Sequence, residues 1–128
     1  MPDVIQLLTE YLRAELPGVQ VGARVPSPRP TQFVLVHRLG GTHTWPVRDT
    51  PTIGLEAWAG SDPAAYRLCM DARAALWRLR HKQLADGTQV YRVQEYAGPA
   101  SLPDPLSAQP RYVATLAMTI RTHMEQTA

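Results

Sequence analysis

Cysteine is almost missing from this chain. Cys69 is the one thiol in 128 residues, so an internal disulfide is impossible and a cysteine-built metal site is excluded. Lysine is as scarce: apart from Lys82, every basic side chain is arginine, a bias that suits bidentate protein contacts and equally fits a GC-rich genome. No apolar run approaches the roughly 20 residues that a membrane helix needs. A basic start followed by an apolar core is absent too, so no secretory signal is expected. Charge is thin, at 19% of residues with a net +2, and the basic residues are scattered. The densest cationic stretch, Arg73, Arg78, Arg80, His81 and Lys82, is flanked by Asp71 and Asp86. It reads as a solvated helix end with cations near the C-terminal dipole, and lacks the concentrated face of a nucleic-acid binder.

Catalytic signatures are missing as well. The histidines His37, His43, His81 and His123 do not form an HExxH or similar metal motif. No serine stands in a G-x-S-x-G elbow, and the glycines make neither GxGxxG nor GxxxxGK. Cys69 falls in a predicted apolar stripe, where a thiol acts as a small hydrophobe. His37 sits in an apolar strand and reads as structural. Glu56 and Glu95 are strand carboxylates able to pair across a sheet, but acid–base work needs a pocket and a second defined group. Ion pairing, with Arg92 or Arg38, is the plainer expectation. No catalytic, cofactor-binding or metal-binding residue is assigned, and no cofactor is expected.

What is present is a globular composition, 45% apolar, of one domain's length. Asp3 can cap a first helix whose Val4, Leu8, Tyr11 and Leu12 recur at helical spacing, and Pro17-Gly18 stops it. A strand from Val19 to Val25 follows. The Pro26-Ser27-Pro28-Arg29-Pro30 run makes a stiff extended connector over 26–30. Thr31 to Leu39 reads as a strand that is central or covered on two sides, because both of its faces are apolar near the middle. Thr42 to Thr50, carrying His43, Trp45, Pro46, Arg48 and Asp49, reads as a long hairpin loop before a strand from Thr52 to Ala59.

Ser61-Asp62-Pro63 is a strong helix start. The alanine-rich pattern predicts a helix from Pro63 to about Ala85, roughly 34 Å long, ended by Gly87. Ala65, Leu68, Cys69, Ala72, Ala75, Leu76 and Leu79 form one stripe. Tyr66, Met70, Trp77 and Leu84 form a second. A helix lying on the sheet of a lone subunit needs one stripe, so the second is either covered by the first helix or forms a subunit interface. Thr88 to Tyr96 is the next strand, with Tyr91 and Val93 on one side and Val90 on the other. A Pro-rich loop or arm spans 97–110, Arg111 to Arg121 is the last strand, and the tail from Thr122 is expected to fray. The pattern predicts a single α+β domain over 1–128: a two-layer sandwich with one mixed or antiparallel sheet of about five strands and two helices on one face.

The order of short segments carries a resemblance. Glu15-Leu16-Pro17-Gly18-Val19, then Arg24-Val25-Pro26-Ser27-Pro28-Arg29-Pro30, then the strand from Phe33 to Arg38 open the pattern. Asp49-Thr50-Pro51-Thr52 and Glu56-Ala57-Trp58-Ala59 follow, ahead of the alanine-rich helix. Tyr91-Arg92-Val93, Gly98-Pro99-Ala100, Leu102-Pro103-Asp104-Pro105 and Pro110-Arg111-Tyr112 close it. Over most of its length the chain resembles the small tail-terminator (tail-completion, minor tail) proteins of long-tailed bacteriophages, particularly those of actinobacterial hosts. The resemblance implies an α+β subunit in a homohexameric ring in the virion, made in the host cytoplasm. Such a ring sits at the head-proximal end of the tail tube, stops tube polymerisation, and offers a surface to the head–tail connector protein. Its partners are other copies, the tail tube protein and the connector; DNA passes through transiently and nonspecifically, and no membrane is involved. Tyr66, Met70, Trp77 and Leu84 are then the candidate subunit contact, and His43, Trp45 and Arg48 the candidate contact with the tube or a neighbour. Other readings are another neck or connector component and, from a different class, a cytoplasmic oligomeric ligand-binding module.

Overall fold

The computed structural model describes residues 3–44 and 48–121. The first helix, α1 (Val4–Glu15), is capped as expected: the Asp3 carboxylate accepts from the Gln6 backbone N–H at 3.1 Å, a contact worth about 1 kcal/mol. Val4, Leu8 and Leu12 are buried, and Leu16 joins them where the chain leaves the helix. Gly18 then turns the backbone at φ +80°, a conformation that favours glycine.

Two helices lie on one face of a five-stranded mixed sheet, as the periodicities predict. The strands are β1 (Gln20–Gly22), β2 (Phe33–Thr44), β3 (Arg48–Trp58), β4 (Gln89–Ser101) and β5 (Arg111–Arg121), in the spatial order β1-β2-β3-β5-β4. Only β1 and β2 run parallel; every other neighbouring pair is antiparallel. Parallel neighbours need a return connection. Because β1 is three residues long, the Pro-rich connector can make that return. The second helix, α2 (Asp62–Trp77), crosses from β3 to β4, and β5 inserts between those two strands. This is a split βαβ unit. The helix starts at the sheet end where β3 stops and runs about 24 Å toward the end where β4 begins.

The core fills the space between helices and sheet. Val34 and Val36 of β2, Ile53 and Leu55 of β3, and Leu116, Met118 and Ile120 of β5 meet Leu8, Leu12, Ala72, Ala75 and Leu76 from the helices. Alanines on α2 permit the close approach. The opposite sheet face carries a smaller buried cluster of Phe33, Leu35 and Trp58, which is why β2 is apolar on both sides.

Four boundaries differ from the sequence reading. First, β1 is shorter than Val19–Val25, and Val25 is exposed. Second, the supposed long loop from Thr42 to Thr50 is mostly strand. β2 runs to Thr44 and β3 starts at Arg48, so His43 pairs with Asp49 and Thr44 with Arg48. A register shift between Arg38 and Gly41 allows it, since Gly41 sits at φ +117° and a Cβ there would lie 2.1 Å from the Thr50 carbonyl oxygen. Third, α2 ends at Trp77, well short of Ala85. The chain turns through Arg78–His81, with His81 at φ +63°, and Leu84 drops into the core at 5% exposure. Fourth, β4 continues through Gly98 and Pro99 to Ser101, leaving 102–110 as the loop proper. Proline is tolerated there because β4 is an edge strand. A shift between Val90 and Arg92 also breaks strict alternation, so Val90 and Val93 are both buried and Tyr91 is exposed.

Candidate assembly surfaces

Neither proline-rich segment is a free arm. The connector and the 102–110 loop are tied together over the Trp58 cluster. The Arg29 guanidinium donates to Ser107 Oγ and Gln109 Oε1, both at 3.1 Å, and lies 4.0 Å from Asp104. Gln109 Nε2 donates in turn to the Thr31 and Ala59 carbonyls. Arg29 and Arg111 each stand 5.2 Å from the Trp58 ring, which stacks on Phe33 at 5.0 Å. Cation–π contacts of this kind contribute roughly 0.5–2 kcal/mol each.

The loop is closed on itself as well. Asp104 accepts from the Ser107 backbone N–H and hydroxyl, the Ala108 N–H donates to the Asp104 carbonyl, and the Asp104 N–H donates to the Gln109 carbonyl. The bonds from Ser107, led by its hydroxyl, hold the Asp104 carboxyl below its ordinary value. At the tip, Leu106 is 97% exposed. Sequence reading missed Leu106. The Pro-Asp-Pro-Leu-Ser run was its signal, because an Asp that accepts from a Ser three residues on makes a closed turn.

The second helical stripe divides. Tyr66 and Trp77 are exposed at 44% and 40%, and Met70 is half-buried. Leu84 lies beyond the helix end, inside the core. The first helix does not cover this stripe. It meets the other flank of α2, where the Tyr11 hydroxyl donates to the Ala75 carbonyl at 2.7 Å and Arg78 pairs with Glu15 at 3.0 Å. Burial, with the Glu15 charge second, raises the Tyr11 pKa. On the stripe's own flank, Tyr66 meets Tyr112 of β5 edge-on at 5.5 Å, and Arg73 forms a forked pair with Glu95 of β4. Arg80 stacks 4.6 Å from the Trp77 ring. The stripe therefore keeps an aromatic, cation-bearing surface beside the β4 edge.

Of the hairpin trio, Trp45 lies outside the described residues, and His43 and Arg48 are placed only as paired strand positions. The base of that hairpin is fixed by Arg38, whose two terminal nitrogens donate to the two Asp49 oxygens at 2.8 Å. Asp49 is 3% exposed.

The two strand carboxylates face opposite ways and do not pair. Glu56 accepts from Arg111 at 3.0 Å and contacts His37 Nε2 at 2.7 Å on the helix-free face. Glu95 is on the helix face with Arg73, so neither Arg92 nor Arg38 is the partner of either one. Burial pushes the Cys69 thiol up to about 11. Among the described residues no group of three His, Cys, Asp or Glu side chains could hold a metal ion, and no helix is long and apolar enough to cross a membrane. Two grooves flank the α1–α2 contact. One, of about 510 Å³, is lined by Leu16, Val19, Arg67 and Asp71. The other, of about 390 Å³, lies between Leu7, Tyr11 and Ala14 of α1 and Leu79 and Leu84 beyond α2.

A comparison with protein families matches residues 1–127 to a family described as phage tail termination protein. No curated protein matches the chain.

Proposed function

The chain belongs to the family of phage tail termination proteins, and from that premise we propose that it forms a ring of six copies capping the head-proximal end of the tail tube. The observation that carries this reading is a family match spanning almost the whole chain. The ring stops tube polymerisation and gives the head–tail connector protein its docking surface. It works by binding alone, with no bond chemistry and no cofactor, and DNA passes through its channel without specific contacts. The resemblance points to phages of actinobacterial hosts, and the excess of arginine over lysine fits a GC-rich genome.

Closed rings are built from heterologous contacts, one patch of a subunit meeting a different patch of the next. The exposed Tyr66, Met70 and Trp77 flank of α2 supplies one such patch, since aromatic and methionine side chains are enriched at interfaces. The hairpin bearing His43, Trp45 and Arg48 is the contact for the tube or a neighbour.

The test is genetic and morphological. A phage unable to make this protein is expected to accumulate full heads and unattached tails of irregular length under the electron microscope. Trp45→Ala combined with Arg48→Ala in the hairpin is expected to weaken capping while the subunit stays folded. Head-joined tails of uniform length without the protein would sink the proposal.

A further inference from the structure

Above its roots the 102–110 turn is a closed body. The Asp104 carboxylate accepts from the Ser107 N–H and hydroxyl, the Ala108 N–H donates to the Asp104 carbonyl at 2.8 Å, and the Asp104 N–H donates to the Gln109 carbonyl at 3.2 Å. The roots are paired with each other. The Leu102 N–H donates to the Arg111 carbonyl at 2.9 Å, and Arg111 Nε donates to the Leu102 carbonyl at 2.7 Å. Among the described residues, two side chains tie this body down. Arg29 Nη1 donates to Ser107 Oγ and Gln109 Oε1, with Asp104 4.0 Å away. Gln109 Nε2 donates to the Thr31 and Ala59 carbonyls at 3.1 and 3.4 Å. Leu102 and Leu106 are both exposed, so the turn's leucines do not hold it closed by burial.

Beneath the turn, Trp58 is buried, and its indole N–H meets no acceptor among the described residues. A buried donor left unpaired penalises the closed state, and contact with water removes that penalty. What opposes opening is a set of exposed side-chain hydrogen bonds, each modest in net strength. Segments held in this way open locally while the core stays folded.

We infer that the 102–110 turn is a strap: it swings open as one body on its Leu102–Arg111 root, with Arg29 and Gln109 as its latch, and lets water reach Trp58. The strap belongs to the single subunit and goes beyond the ring reading, so either can fail without the other.

Hydrogen exchange followed by NMR tests it on the full chain. The Trp58 indole N–H of the parent should exchange at least about a hundredfold faster than the amides of Leu116 and Met118, which lie buried in β5. Gln109→Ala removes the bonds to Arg29, Thr31 and Ala59 and leaves Arg29 and Trp58 in place. It should keep the circular dichroism spectrum of the parent and speed the indole exchange by about tenfold or more. The Ala108 amide should not follow, because its bond to Asp104 travels with the strap. With Trp45→Phe and Trp77→Phe leaving Trp58 as the single indole, acrylamide quenching should rise in the same variant. An indole N–H that exchanges as slowly as the β5 amides is reached only by global unfolding, and that result overturns the strap. Equal indole rates in Gln109→Ala and the parent overturn the latch. An Ala108 amide that accelerates in step with the indole shows a turn that melts instead of swinging, and overturns the opening as one body.

Discussion

Asp49 shows how much one side chain can fix. It is buried where the β2–β3 hairpin leaves the sheet and takes both terminal nitrogens of Arg38. Asp49→Ala removes the acceptor of both terminal nitrogens, leaving only the Arg38 Nε bond to the Gly40 carbonyl, and is expected to lower stability by about 1–3 kcal/mol in urea unfolding. Glu95 gives a pH signature. Its hydrogen bonds to Arg73, ahead of the charge attraction, lower its pKa from 4.5. The folded state thus binds its proton less readily than the unfolded one. The pair's stabilisation is complete well above pH 4.5 and is lost as pH falls through the lowered folded value. Arg73→Gln should flatten that part of the stability–pH curve. Cys69 gives a third readout. With the thiol buried and its pKa pushed up to about 11, the native chain should resist iodoacetamide at pH 8 and react only on unfolding. The strand partners of the carboxylates were not legible in the sequence, because which face Glu95 takes depends on the shifts along β4 and not on simple alternation.

At the scale of elements, the local signals that held were those with a mechanism in the chain itself. Asp3 and Ser61 cap their helices, and β5 runs from Arg111 to Arg121 as read. The misplaced boundaries have tertiary causes. Nothing local forces α2 to end at Trp77; turning there lets Leu84, which a longer helix would carry on its outward stripe, reach the core. The hairpin extends because Gly41 lets β2 slip register against β3, and Gly41→Ala is expected to destabilise that pairing. The same geometry splits the second stripe into exposed members, Tyr66 and Trp77, and a buried one, Leu84. Leu84→Ala should cost about 2–4 kcal/mol of stability as a core truncation. Trp77→Ala should cost less stability and more association, measured by chemical denaturation beside sedimentation.

For the whole molecule, the periodicities were enough to give a five-stranded sheet with two helices on one face, because amphipathic elements of this number have few ways to bury their apolar sides. The candidate surfaces were only partly readable. The exposed α2 flank shows as a surplus stripe, whereas the closed 102–110 turn follows from contacts with Arg29 that are distant in sequence. If subunits with packed cores and unlike end surfaces close into a ring, their absolute mass reveals it. Light scattering across a concentration series should then show a species of six 14.2 kDa chains, about 85 kDa, at the upper end of the series. A fixed dimer of about 28 kDa, or a chain that stays at 14.2 kDa throughout, would contradict it.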